Sequence, residues 1–420
     1  MSEASSPVAP RRAAFIFIFI FITVVLDMLA LGMIIPVLPN LIKGFLGGDT
    51  AAAARMLGVF GTVWALMQFF FAPLLGSLSD RFGRRPVILL SNFGLACDYV
   101  LMALAPSLGW LFAGRVISGI TAASVPTASA YIADVTPPEK RAGAFGMLGA
   151  AFGLGFVLGP ALGGLLGSVD PRLPFWASAA LSGANALYGL FVLPESLPPQ
   201  KRAGFSLARA NPLGSLRLLG SRRGLALLGA CIFLGGLAHE SLPATFVLYA
   251  QYRYGWDQRL VGLTLAAVGV CTGVVQGGLV KPLVGRFGER GSLYLGLLCG
   301  AVGFAIYGLA PTGAAFWAGI PIMAFWGLST PAVQGLMSSK VGPSEQGQLQ
   351  GAAGSLRGIS GLIGPTLFAQ TFAFFISASA PMVLPGAPFV LASLLLATSF
   401  LLAVGFVRRP VGVAGDLAGG

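Results

Sequence analysis

Apolar residues run along this chain in long unbroken stretches separated by short polar turns, without the strict alternation of strands in an outer-membrane barrel. A helix needs about 20 apolar residues to cross the hydrocarbon core of a bilayer. Windows of that kind lie near 13–40, 54–77, 87–105, 110–133, 143–167, 174–193, 224–250, 260–284, 291–309, 314–338, 350–376 and 386–407. Helices are expected because each satisfies its own backbone in lipid. The pattern therefore predicts an all-α membrane protein with twelve transmembrane helices. The first stretch follows Arg11 and Arg12 and continues past Asp27 to Leu38 with no clear cleavage site, so it reads as an uncleaved first span.

Composition narrows the picture further. The 420 residues are 56% hydrophobic and 10% charged, with mean hydropathy +0.84, whereas a soluble domain carries about 25% charged residues. A soluble globule is excluded. The 60 glycines and 28 prolines sit within the apolar stretches, which argues against disorder and collagen. Cys97, Cys231, Cys271 and Cys299 have neither CxxC spacing nor a histidine neighbour, so they read as small buried core residues, with no metal site and no disulfide. No cofactor is indicated.

The net charge of +12 could suggest nucleic acid, but its distribution follows the spans. With the N-terminus placed in the cytoplasm, 19 of the 26 lysines and arginines fall on the cytoplasmic side, five in outer loops, and Arg115 and Arg357 inside spans. This asymmetry orients the chain, with both termini cytoplasmic, and predicts a bilayer rather than nucleic acid as partner. Residues 194–223 hold Pro198-Pro199 and six basic residues, and read as a cytoplasmic linker in contact with anionic headgroups. The expected organisation is a six-helix bundle over 1–193, this linker, a second bundle over 224–409, and a disordered tail over 410–420.

The halves repeat. Arg81-Phe82-Gly83-Arg84-Arg85 recurs 205 residues later as Arg286-Phe287-Gly288-Glu289-Arg290, and Gly153, Gly159 and Pro160 recur at the same offset as Gly358, Gly364 and Pro365. Parallel six-helix repeats place a substrate site between them near the midplane, with rocking of the halves giving alternating access. A secondary transporter is expected on this ground.

Polar groups inside spans are costly, roughly 2.5–3.5 kcal/mol for a central charge on insertion scales. Asp27, Asp98 and Glu240 are the acids well inside the windows. Asp27 reads either as a proton- or cation-coupling group or as the partner of a buried polar group, and Arg115 is a possible partner for it. Asp98 has the same two readings. His239 and Glu240 form either a titrating pair or a polar break at a helix kink before Pro243. Gln68, Gln276 and Gln334, with Trp64, Tyr99 and Trp326, either line a substrate cavity or pack between helices. Gly155-x-x-x-Gly159-Pro160-x-x-Gly163-Gly164 permits close helix approach and a bend.

The segment Gly76-Ser-Leu-Ser-Asp80-Arg81-Phe82-Gly83-Arg84-Arg85-Pro86, between the second and third spans, resembles the loop signature of the major facilitator superfamily. Gly114-Arg115 resembles its fourth-helix arginine motif, and the glycines with Pro160 resemble its antiporter motif. Among its members the chain is most similar to the tetracycline/proton antiporters, through LDMLALGMIIPVLP, GRVISGITAASVPTASAYIADV and PAVQGLMSSKVGPSEQGQLQG, in that order. The resemblance implies the major facilitator fold and efflux of a drug-like small molecule against protons, by a monomer in a bacterial inner membrane. It implies a gate made by Asp80, Arg84 and Arg85, and coupling roles for Asp27, Asp98 and Arg115. The sequence departs from the tetracycline pumps at Thr272 and Gly300, where they carry a histidine and a carboxylate. A uniporter or symporter for a small metabolite is the alternative within transport. An ATP-driven pump lacks its phosphate loop here, and the scattered membrane acids and single histidine disfavour an enzyme.

Overall fold

The computed structural model describes residues 10–137, 140–202, 214–221, 223–342 and 345–407. Residues 203–213 and 222 of the linker and the whole 410–420 tail lie outside the described residues. The first half holds α1 (Pro10–Ile34), α2 (Leu38–Phe45), α3 (Thr50–Phe82), α4 (Arg84–Leu104), α5 (Leu108–Thr121), α6 (Ser124–Val135), α7 (Arg141–Val169) and α8 (Leu173–Val192). After the short α9 (Arg217–Ser221), the second holds α10 (Arg223–His239), α11 (Ser241–Tyr254), α12 (Gln258–Val274), a π-turn (Val275–Leu279), α13 (Val280–Leu309), α14 (Gly313–Ala324), a 3₁₀ turn (Phe325–Leu328), α15 (Ser329–Ser338), α16 (Gln346–Phe375) and α17 (Ala387–Val407).

Eleven helical segments are long and apolar enough to span a bilayer. One of them, Gln258–Leu309, is 52 residues long, about 78 Å of helix at 1.5 Å per residue and more than twice a bilayer core. Gly288 breaks it, with φ 67° and ψ 175° inside the nominal helix. Two spans result, and the count becomes the expected twelve. Gly83 turns the chain in the same way at φ 109°, 205 residues earlier, so the sequence repeat recurs as a backbone repeat. Only glycine enters this region without strain.

Asp49, Asp257 and Thr312 cap α3, α12 and α14, each accepting from backbone N–H groups of the first turn at 2.7–3.2 Å. Large apolar side chains such as Phe93, Phe191, Leu298 and Leu401 remain exposed, as a lipid-facing surface requires. Cys231 is buried, but Cys97 is exposed and Cys271 and Cys299 are half-buried. Cys97 is therefore not a core residue: the outward face of a membrane helix is as apolar as its packed face, and pattern alone does not separate them.

The halves meet chiefly where α3 lies on α16 and α7 on α12. Thr62 donates to the Leu362 carbonyl at 3.2 Å and shares a 2.9 Å bond with Thr366, which reaches the Gly58 carbonyl at 3.3 Å. A methyl group at Gly58, Gly61 or Gly358 would press on the opposite helix. On the other seam, Gly164 and Gly262 are so close that a Cβ on either would fall 3.0 Å from the other's Cα. Towards the helix ends that carry Gly83 and Gly288 the picture reverses. Added Cβ atoms at Gly143, Gly146, Gly149, Gly153, Gly273, Gly277 and Gly285 would meet open space. The halves are joined at one end and parted at the other.

Candidate functional site

Inside the first half, α1, α4 and α8 bury a polar knot. Asp27 is 2% exposed, and Asn92 and Asn185 are fully buried. Asn185 Nδ2 donates to Asp27 Oδ1 at 2.9 Å and to the Thr23 carbonyl at 3.0 Å. With its amide nitrogen turned to Asp27, Asn92 donates to both carboxylate oxygens at 3.2 Å and accepts from Asn185 Nδ2 at 3.1 Å. Turned the other way, its oxygen can accept from a protonated carboxyl. An amide beside a carboxyl group can therefore serve both protonation states. Asp27 does not face lipid.

Arg115 does not partner Asp27. Its Nη2 donates to Asp98 Oδ2 at 3.1 Å and lies 3.3 Å from Met102 Sδ. Asp98, on α4, is fully buried. Gly114 makes room for this pair, since a Cβ there would collide with Asp98 Oδ1 and Met102. The buried charges on neighbouring helices thus neutralise each other, as membrane interiors require. Tyr99, next to Asp98 on α4, is 1% exposed. Tyr99 is core, not cavity lining. Trp64 donates to Ser118 Oγ at 3.3 Å and ties α3 to α5.

At the Gly83 end, Arg84 gathers three partners: Asp80 one turn back on α3, Asp134 Oδ2 of α6 at 3.0 Å, and Ser79 Oγ at 2.7 Å. Glu195, just past α8, accepts from the backbone N–H groups of Arg84 at 2.8 Å and Arg85 at 3.3 Å. It caps α4 across the bundle, placing negative charge at the positive end of the helix dipole. A side chain at Gly83 would overlap Glu195. Arg85 donates to the Leu190 carbonyl at 2.6 Å, so it ties α4 to α8 and pairs with no acid among the described residues. Among the described residues, the three ion pairs all lie within the first half. The Asp80–Arg84 pair does not bridge the halves in this conformation.

Gly155, Gly159 and Gly163 of α7 press on Met28, Gly32 and Met33 of α1, while Gly164 lies on Gly262 of α12. The motif is a two-sided contact, and Pro160 serves both sides: its ring faces Gly32 and its carbonyl faces Gly262.

In the second half, the helix breaks at Glu240, between α10 and α11. His239 is exposed, and its ring lies 5.9 Å from that of Trp326 in the 3₁₀ turn. A Cβ at Gly300 would strike the Trp326 ring at 2.8 Å. Gln276, in the π-turn, lies against Gly327; such turns recur at functional sites. Gln68 and Gln334 are half-buried on α3 and α15, and no hydrogen bond joins them to this cluster among the described residues.

Asn92, Asn185, Asp134 and Glu195 complete these networks, and isolated polar letters do not announce such roles. Glu195 carries one usable signal: like Asp80, it is an acid in a basic segment where the positive-inside rule gives it no purpose.

A family model for the Major Facilitator Superfamily matches residues 20–365. The chain is 39% identical to the class C tetracycline resistance protein of Escherichia coli over 354 residues, covering 84% of this chain and 88% of that one. It is 36% identical to the class B protein of the same organism over 348 residues, covering 83% and 86%. Among solved structures, the nucleoside transporter NupG superposes with TM-score 0.75 at 14% identity, covering 93% of this chain and 98% of that one. A D-xylose–proton symporter gives 0.73 at 18%, covering 94% and 97%. The latter two likenesses speak to the fold alone. A twelve-span multi-pass chain with this matched family, internal repeat and set of buried charges belongs to the Major Facilitator Superfamily of transporters, related within it to the tetracycline resistance proteins.

Proposed function

We propose that the protein is a proton-coupled antiporter of a bacterial inner membrane, exporting a drug-like small molecule of the tetracycline-pump type. The observation that carries this reading is Asp27, sealed within the first bundle beside two amides, Asn185 donating to it and Asn92 able to turn either its nitrogen or its oxygen to it. Asp98 and Arg115 form the neighbouring charged pair of the same route, and Arg84 with Asp80 and Arg85 holds the gate segment. The basic residues put the Gly83 and Gly288 ends in the cytoplasm, with both termini, so the parted end opens inward. Protons and a small molecule then exchange as the halves rock about the α3–α16 and α7–α12 seams.

The test is export from inverted vesicles energised by an imposed pH gradient. Asp27→Asn keeps the hydrogen-bonding shape and removes the titrating proton, so proton-driven export is lost while the protein remains folded in the membrane. Undiminished proton-driven export by this variant removes Asp27 from the coupling route.

A further inference from the structure

Glu240 is the membrane acid that the first bundle's proton route leaves unused. Its side chain makes no hydrogen bond or ion pair among the described residues, although Asp98 and Asp27 both have such partners. It lies in a notch on α16 that two glycines make: a Cβ at Gly364 would overlap Glu240 Cβ and Cγ, and one at Gly361 would sit 3.9 Å from Oε1. The same point at Gly361 is 3.7 Å from Ala65 Cβ of α3. The carboxyl group therefore sits at the seam between the halves. A carboxylate held in an apolar seam without a partner is costly, which is the condition for a site that waits for a positive ligand.

The surroundings supply the rest of a binding surface. The next residue back, His239, is exposed and faces Trp326. The indole is half-buried and rests on Gly300, where any side chain would displace it. Glu240 and, beside it in the chain, a histidine that meets an indole bring to one region the acid and aromatic groups that suit a cation attached to a flat or aromatic body. Among the described residues, His239 and Arg357 are the other charged or titratable groups nearest Glu240 along α10 and α16. Arg357 is one turn before Gly361 on α16 and is exposed. Along α16 it lies nearer the parted end than Gly361, and no ion pair joins it to Glu240 among the described residues. The acid is thus deep, and the guanidinium nearer the parted end.

We infer that Glu240 and Trp326 form the recognition site for an aromatic organic cation, the carboxylate taking the positive charge and the indole the ring. This rests on the transport reading above and names the substrate class of its cavity. It also gives the Gly300 substitution a purpose, since the bare backbone seats the indole.

The test is equilibrium binding of radiolabelled tetraphenylphosphonium to the purified full-length protein in lipid nanodiscs, without any gradient. Saturable binding is expected, weakened about tenfold or more by Glu240→Gln and also weakened by Trp326→Ala, and largely kept by Glu240→Asp. Neutral triphenylphosphine oxide should compete poorly against the label on the unaltered protein, a comparison that needs no variant to fold. No saturable binding, equal affinity in Glu240→Gln, or full displacement by the neutral oxide overturns the assignment. Export lost in Asp27→Asn with these binding results absent sinks the cation site alone. Binding as expected with no proton-driven export by the unaltered protein sinks the antiport reading instead.

Discussion

Each buried charge in the first bundle is held by a specific neighbour, and the energetics of that holding can be measured. Arg115 and Asp98 lie on α5 and α4 at 3.1 Å, the acid fully buried. Removing one member strands the other charge, which costs about 3–5 kcal/mol. Asp98→Ala is therefore expected to lower the melting temperature of the detergent-solubilised protein sharply. Asp98→Ala with Arg115→Leu should recover a substantial part of the loss, because no charge is then left unpaired. Equal melting of the single and double variants would show that the two residues do not act as a pair.

The elements of the first bundle are fixed at their ends by groups from other elements. The N-terminus of α4 has no side-chain cap of its own; Glu195 supplies one from beyond α8, accepting from Arg84 and Arg85. Glu195→Gln keeps one acceptor oxygen but removes the second and the charge, a loss of about 1 kcal/mol. Amide exchange in the first turn of α4 should quicken several-fold, with the later turns of α4 unchanged, as read by hydrogen–deuterium exchange. Protection that stays the same would mean the dipole contact is not what orders this end. Helix α7 shows the same dependence on neighbours: α1 holds it through Gly155, Gly159 and Gly163, and α12 through Gly164.

Across the whole molecule, the halves touch at one end and part at the other, and rocking must break the joined end. Thr62 and Thr366 face each other across the α3–α16 seam, with hydroxyl oxygens 2.9 Å apart. In a chain whose four native cysteines are replaced, Thr62→Cys with Thr366→Cys should oxidise to a disulfide, because side chains whose γ atoms already touch can bring two sulfurs within bonding reach. Transport should stop on oxidation and return on reduction. Oxidised protein that still transports would show that this seam stays closed throughout the cycle.

The sequence by itself determined the twelve spans, their two-fold repeat and the family. These follow from apolar length and from motifs at a fixed offset, both properties of short segments that no tertiary contact can overturn. Sequence also picked out Asp27, Asp98 and Arg115, because a charge in an apolar window is conspicuous. Only the tertiary structure decided the pairing: Arg115 takes Asp98, Asp27 takes Asn92 and Asn185, and Tyr99 becomes core. Which groups meet depends on how each helix is rotated against its neighbours. A membrane helix is apolar on both its lipid face and its packed face, so its letters leave that rotation unmarked.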